Sequence, residues 1–167
     1  MYHGFEQGRT TTGDTMTTFL EQAEGGCMCG AVRYRVDGAP MSSIYCHCMS
    51  CRRHTGALVV ALAGYRRDQV TYTKGKPKIF QSSPGVGRAF CGDCGTPMTW
   101  EGDGGEIGPM VEFLVNTFDN PQDFEPECHI HHQERLPWLE LHDSLPRYAV
   151  WHDGDDEPYL HGPADNT

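Results

Sequence analysis

A mainly β fold in a single domain is what the sequence predicts, and three observations predict it. From Cys27 onward, short runs rich in Val, Ile, Tyr and Phe alternate with Gly, Pro and Asp turns. In GAVRYRV, Val32, Tyr34 and Val36 alternate with Arg33 and Arg35, the period of two that a half-buried strand requires. No segment repeats its apolar residues at the helical period over about twelve positions or more. The expected strands, in order, are GAVRYRV, SSIYC, ALVVALAG, QVTYT, KIFQS, RAF, MTWE, MVEFLVNT and ECHIHH, each a β-branched or aromatic run bounded by turn residues. Helix is confined to a turn at MSCRRH and another near NPQDF.

Residues 1–22 are polar, Thr-rich and without periodicity, and read as a flexible leader. Residues 23–150 form the expected domain, and 151–167 an acidic Pro/Gly-rich tail that is expected to fray. A chain of 167 residues fits one core and is short for two. Lys+Arg 13 against Asp+Glu 23 gives a net charge of -10, which repels a nucleic acid or an anionic membrane surface. The opening MYHGFEQGRTTTGD has no charged-then-apolar run, and no stretch is apolar for long enough to span a bilayer. The expectation is a soluble, cytoplasmic protein. Its eight cysteines then sit among cellular reductants, where close spacing favours metal over disulfide.

Cys27 and Cys29 stand at i and i+2 of an extended segment, so both can reach one ion. Cys91 and Cys94 flank a tight turn in CGDCG, where Gly92 and Gly95 can take a positive φ. Together they supply four thiolates, the closed set of a structural zinc. The competing readings are a redox pair at Cys91 and Cys94, or plain buried thiols at Cys27 and Cys29. In YCHCMSCRRHTG, Cys46, Cys48 and Cys51 form a second group of three, which leaves one position on a zinc open, as catalytic zinc requires. Cys128, His47 or His54 would close that position and make a second structural site, and an empty reduced cluster is the third option.

These blocks resemble the family of glutathione-dependent formaldehyde-activating enzymes and their relatives. The resemblance runs from about Gly25 to Tyr148 through GGCMCGAVRY, YCHCMSCRRHTGA, FCGDCGTPM and FDNPQDFEPECHIHHQERLPWLELHDSLPRY. It implies a β-tent fold, a structural zinc on Cys27, Cys29, Cys91 and Cys94, and a second zinc on Cys46, Cys48 and Cys51. Two ions per chain are thus expected, with glutathione as co-substrate.

A thiol entering the open position would lose its proton there and add to a small aldehyde such as formaldehyde, without any redox step. The expected activity is therefore that of a carbon–sulfur lyase or synthase, with Cys46, Cys48 and Cys51 at its centre. Arg52 and Arg53 follow directly and are candidates to hold a substrate carboxylate, against a reading as solvated charge. His47 is a candidate proton carrier, although alternation points it away from Cys46 and Cys48, and His54 lies one helical turn beyond Cys51. Cys128 shares a strand face with Ile130 and reads as core, while a histidine of ECHIHH is a lesser candidate ligand. Trp138 and Asp143 read equally well as a packed tryptophan and a turn aspartate. The rival functions are a non-catalytic zinc scaffold for a protein partner and a thiol/zinc redox sensor. Oligomeric state has no signature in the sequence.

Overall fold

The computed structural model describes residues 21–151 and 156–161, so all but the last two residues of the leader expected at 1–22, and most of the tail, lie outside the described residues. Two sheets make up the domain. The smaller consists of β1 (Gln22–Gly26), β2 (Arg33–Asp37) and β5 (Val70–Lys74), in the order β1-β2-β5. The larger contains β3 (Ser42–Cys46), β4 (Val60–Arg66), β6 (Lys78–Ser83), β7 (Val86–Phe90), β8 (Pro97–Asp103), β9 (Pro109–Leu114), β10 (Cys128–Ile130), β11 (Pro146–Arg147) and β12 (Leu160–His161). Its order is β12-β11-β10-β3-β4-β9-β8-β7-β6. Pairing is antiparallel except where β10 runs parallel to β3 and to β11.

All nine expected runs form strands, the MSCRRH turn is the helix α1 (Met49–Thr55), and Pro121–Asp123 makes a short 3-10 turn. Three strands escape the sequence reading: β1, β11 and β12. Gln22, placed in the leader, is already paired with Asp37, and within the tail Leu160–His161 pairs with β11 rather than fraying.

The alternating residues of the central strands divide the large sheet into two faces with different work. Ala63, Tyr65, Val111 and Phe113 point to one side and pack with Tyr34 and Val36 of β2 in a single buried cluster. Aromatic stacking organises it: the rings of Tyr34 and Phe113 lie 4.0 Å apart, those of Phe118 and Phe124 3.9 Å apart. Such pairs are each worth about 0.5–1.5 kcal/mol beyond the area they bury. The opposite face carries Ile44, Cys46 and Leu62, which form a second cluster with Cys51, Val60, Cys128 and Ile130.

Gly25 is where the small sheet meets the large one. It bridges to Phe118, and a Cβ there would run into the Tyr34 hydroxyl and the Thr117 backbone carbonyl. Tyr34 cannot swing aside, because its ring is wholly buried and its hydroxyl is hydrogen-bonded to Thr117 Oγ1 at 2.8 Å. Gly25→Ala is therefore expected to cost about 1–3 kcal/mol, the range of overpacked cores. Urea denaturation would read it, and an unchanged midpoint would show that the two sheets can part at this seam.

Candidate functional site

The four-thiol group is assembled by two turns from distant parts of the chain. The loop after β1 carries Cys27 and Cys29, closed by Gly30 at φ 70°, and the loop after β7 carries Cys91 and Cys94, closed by Gly95 at φ 76°. Gly92 does not share the positive φ expected for it, so one left-handed residue suffices for that turn. Sulfurs at the corners of a tetrahedron around zinc stand about 3.8 Å apart, given a metal–sulfur bond of ~2.3 Å. Here Cys27 and Cys29 are 3.5 Å apart and Cys29 and Cys91 3.8 Å, with all four ligand atoms within 4.8 Å of one another. Backbone N–H groups of Val32 and Asp93 donate to Cys27 and Cys91. The Thr96 hydroxyl contacts Cys94 at 3.1 Å and holds that thiol down at about 6. Four sulfurs this close together suit one bound cation.

The second group forms where β3 runs into α1. Cys46 ends the strand, Cys48 caps the helix by accepting from the Cys51 N–H at 3.2 Å, and Cys51 lies in the first turn. Their sulfurs also fall within 4.8 Å of one another. Hydrogen bonding with Cys46 and then Cys51 holds the Cys48 thiol far below its usual range, and the same contact pushes Cys46 up. Three sulfurs this close together can share one cation.

These three thiols line a cleft of about 690 Å³, together with Ile44, Ser42, Arg88, Trp100, Met110, Glu112 and His131. None of the four-thiol group lines it. Arg88, 7% exposed, reaches Cys51 Sγ at 3.5 Å from β7. Glu112, 5% exposed, stands on β9, and burial pushes its carboxyl up to about 7. Neither residue was legible as functional in the sequence, since each is a single polar position in an alternating strand.

Arg52 and Arg53 are not where the sequence reading put them. The helix turns Arg52 back to donate to the carbonyls of His47 at 3.0 Å and Glu134 at 2.9 Å, and Arg53 is exposed; neither lines the cleft. Arg88 supplies the guanidinium beside the thiols instead. His47 lies on the far face, as alternation required. Its Nε2 meets His129 Nδ1 at 2.8 Å, and His129 Nε2 meets Asp143 at 3.0 Å, with Arg147 on that carboxylate at 3.1 Å. Burial lowers His47 to about 3 and lowers His129 also, so this chain is a neutral buttress behind the site. His54 is lowered by burial, its Nε2 has no hydrogen-bond partner among the described residues, and it does not line the cleft. Cys128 packs in the second core cluster, outside the three-thiol set. Of the ECHIHH histidines only His131 lines the cleft, held at φ 50° with Glu134 3.3 Å away, and it too stands outside the set of three. Trp138 is 66% exposed rather than packed, and Asp143 anchors His129 and Arg147 as well as capping its own turn through the Leu145 N–H.

No helix among the described residues is long and apolar enough to cross a membrane. Comparison with known proteins adds three findings. Residues 22–134 match the family model described as glutathione-dependent formaldehyde-activating enzyme. The chain is 30% identical over 132 residues to a Halomonas elongata protein provisionally named a glutathione-dependent formaldehyde-activating enzyme, covering 71% of this chain and 80% of that one. A crystal structure of a Rhodobacter sphaeroides protein superposes with a TM-score of 0.46 at 25% identity, over 60% of this chain and 93% of that one. The family match stops short of the Arg135–Tyr148 block that the sequence reading had included.

Proposed function

Because the chain belongs to the glutathione-dependent formaldehyde-activating enzyme family, we propose that it is a zinc-dependent carbon–sulfur lyase or synthase. It joins glutathione or a similar small thiol to a small aldehyde such as formaldehyde, or reverses that addition. The observation that supports this best is the contrast between the two sulfur groups: three thiols line a cleft, and four close on themselves away from it. Cys27, Cys29, Cys91 and Cys94 would hold a structural ion, and Cys46, Cys48 and Cys51 a catalytic one. A zinc ion on three thiolates supplies an open position at which an incoming thiol is deprotonated near neutral pH.

The chain's own residues do the rest. Arg88 tempers the negative charge of the sulfur cluster from Cys51, and the apolar side chains of Ile44 and Met110 keep the reacting atoms dry. The reaction itself is an addition: the thiol sulfur bonds to the aldehyde carbon, the C=O π bond opens, and the thiol proton ends on the oxygen. No electron changes hands, so a redox partner is not needed. Cysteine-rich and without a disulfide among the described residues, the protein belongs on this reading in the reducing cytoplasm.

Purified protein is expected to carry about two zinc ions per chain, one lost to a mild chelator and one only on unfolding. Native mass spectrometry through a chelator titration tests this, and simultaneous loss of both would sink the unequal pair. With cobalt in the weaker site, millimolar glutathione should shift the thiolate charge-transfer spectrum, and protein should accelerate formation of the hydroxymethyl adduct. A spectrum indifferent to glutathione would instead favour a scaffold that uses zinc only to hold its shape.

A further inference from the structure

The cleft contains a polar row that begins at the three-thiol site with Arg88 and extends away from it. Strand register sets Arg88 opposite Trp100, Trp100 opposite Glu112, Glu112 opposite Gly64, and Gly64 opposite Ser42. Residues directly opposed in neighbouring strands present their side chains on one face, so these five form a line across β7, β8, β9, β4 and β3. Arg88 Nε, Glu112 Oε1 and Ser42 Oγ are buried with no hydrogen-bond partner among the described residues, and all three residues line the cleft. Arg88 and Glu112 are each more than nine-tenths buried and form no salt bridge with each other, although the Arg88 charge acts on the Glu112 carboxyl from a distance. Leaving such groups unpaired destabilises the fold, and more so when they are charged.

Spacing and sign together define what would satisfy them. Arg88 and Glu112 stand two strands apart, roughly 10 Å between backbones, with Trp100 on the strand between them. Gly64 keeps the next position clear: a Cβ there would lie 2.5 Å from Ser42 Oγ. A simple anion would suit Arg88 but be repelled by Glu112, and a simple cation the reverse. A compact group bearing both charges answers both.

We propose that Arg88, Glu112 and Ser42 form a subsite for the α-amino and α-carboxylate head of an amino-acid or peptide thiol, the carboxylate on Arg88 and the ammonium on Glu112 and Ser42. The inference rests on the proposed thiol–aldehyde reaction for its substrate class, and it names the end of the substrate remote from sulfur. Arg88 links the two regions, since its Nη1 reaches Cys51.

S-methylglutathione, whose sulfur is blocked, probes the subsite apart from the chemistry. Calorimetry on the zinc-loaded protein should show binding that Glu112→Gln weakens at least tenfold and Ser42→Ala several-fold. Acetylating the probe's amino group should weaken it at least tenfold on the parent protein and little further on Glu112→Gln. Turnover supplies the second arm: Glu112→Gln should lower the preference for glutathione over 2-mercaptoethanol, which lacks the head, at least tenfold. Undiminished binding by Glu112→Gln, indifference to acetylation, or equal loss of turnover with both thiols would overturn the subsite. Glu112-dependent binding of S-methylglutathione without turnover of any thiol would leave the subsite standing and remove the proposed reaction.

Discussion

Cys94→Ser should leave an insoluble or unfolded chain, whereas Cys48→Ser should stay folded, keep one zinc ion and lose thiol binding. With a zinc ion bound, the four-thiol group would fasten the loop after β1 to the loop after β7, and Cys27 and Cys91 are themselves part of the main core cluster. A structural zinc is worth about 10–16 kcal/mol in small zinc domains, while a whole domain is stable by about 5–15 kcal/mol, so opening this clamp can consume the entire margin. The three-thiol group is held from outside itself. β3 is paired to β4 on one side and β10 on the other, and Arg52 ties α1 to the carbonyls of His47 and Glu134. Serine, moreover, is among the best N-cap residues, so it can take over the bond Cys48 accepts from the Cys51 N–H. Thermal melts and zinc content of the two variants decide the matter. If Cys48→Ser melts as severely as Cys94→Ser, the smaller cluster is structural and the enzyme reading loses its main support.

Glu112→Gln should be more stable than the parent protein at pH 8 by about 3–4 kcal/mol, with the advantage gone near pH 4. An exposed glutamate titrates at about 4.3, whereas burial raises Glu112 to about 7. A raised carboxyl binds its proton more tightly folded than unfolded. Its contribution is therefore fully present below about 4.3, and is lost as pH climbs through about 7, where the buried charge must form. Glutamine fills the same space and never ionises. Urea denaturation of both proteins across this range reads the effect, to which the coupling between Glu112 and Cys48 contributes alongside burial. Parallel curves would mean that Glu112 keeps its charge at little cost, by water or an ion reaching it.

The cysteine groups were legible because ligand spacing is local and the chemistry of thiols leaves few options; the structure brings together the same four and the same three. The main strands were legible because Val, Ile, Tyr and Phe recur in them at a period of two. β1 was not: QAEGG has no β-branched or aromatic residue, and it is a strand because β2 pairs with it and Gly25 admits Phe118. The two-residue β11 and β12 exist only through their partners. Glu112 sits between Val111 and Phe113 as a polar residue on a solvent face should, yet the face it joins is roofed by a cleft. Nothing in a period-two pattern distinguishes the two situations. Arg52 and Arg53 misled for the converse reason, since adjacency in sequence to Cys51 says nothing of direction once a helix intervenes. The pair His129 and Asp143 needed the parallel docking of β10 to meet His47 at all.

That parallel docking has a consequence in time. His47 and the His129 that backs it are 82 residues apart in the chain. At roughly 5–20 residues per second, some 4–16 s of synthesis separate them. Cys46, Cys48 and Cys51 leave the ribosome together, so during those seconds a nascent chain displays three thiols with neither β10 nor the histidine buttress behind them. The ligand set is complete long before the wall that shelters it. Exposure to cellular oxidants and to competing metals is thus greatest while the protein is still being made, and the finished sheet protects what the unfinished one could not.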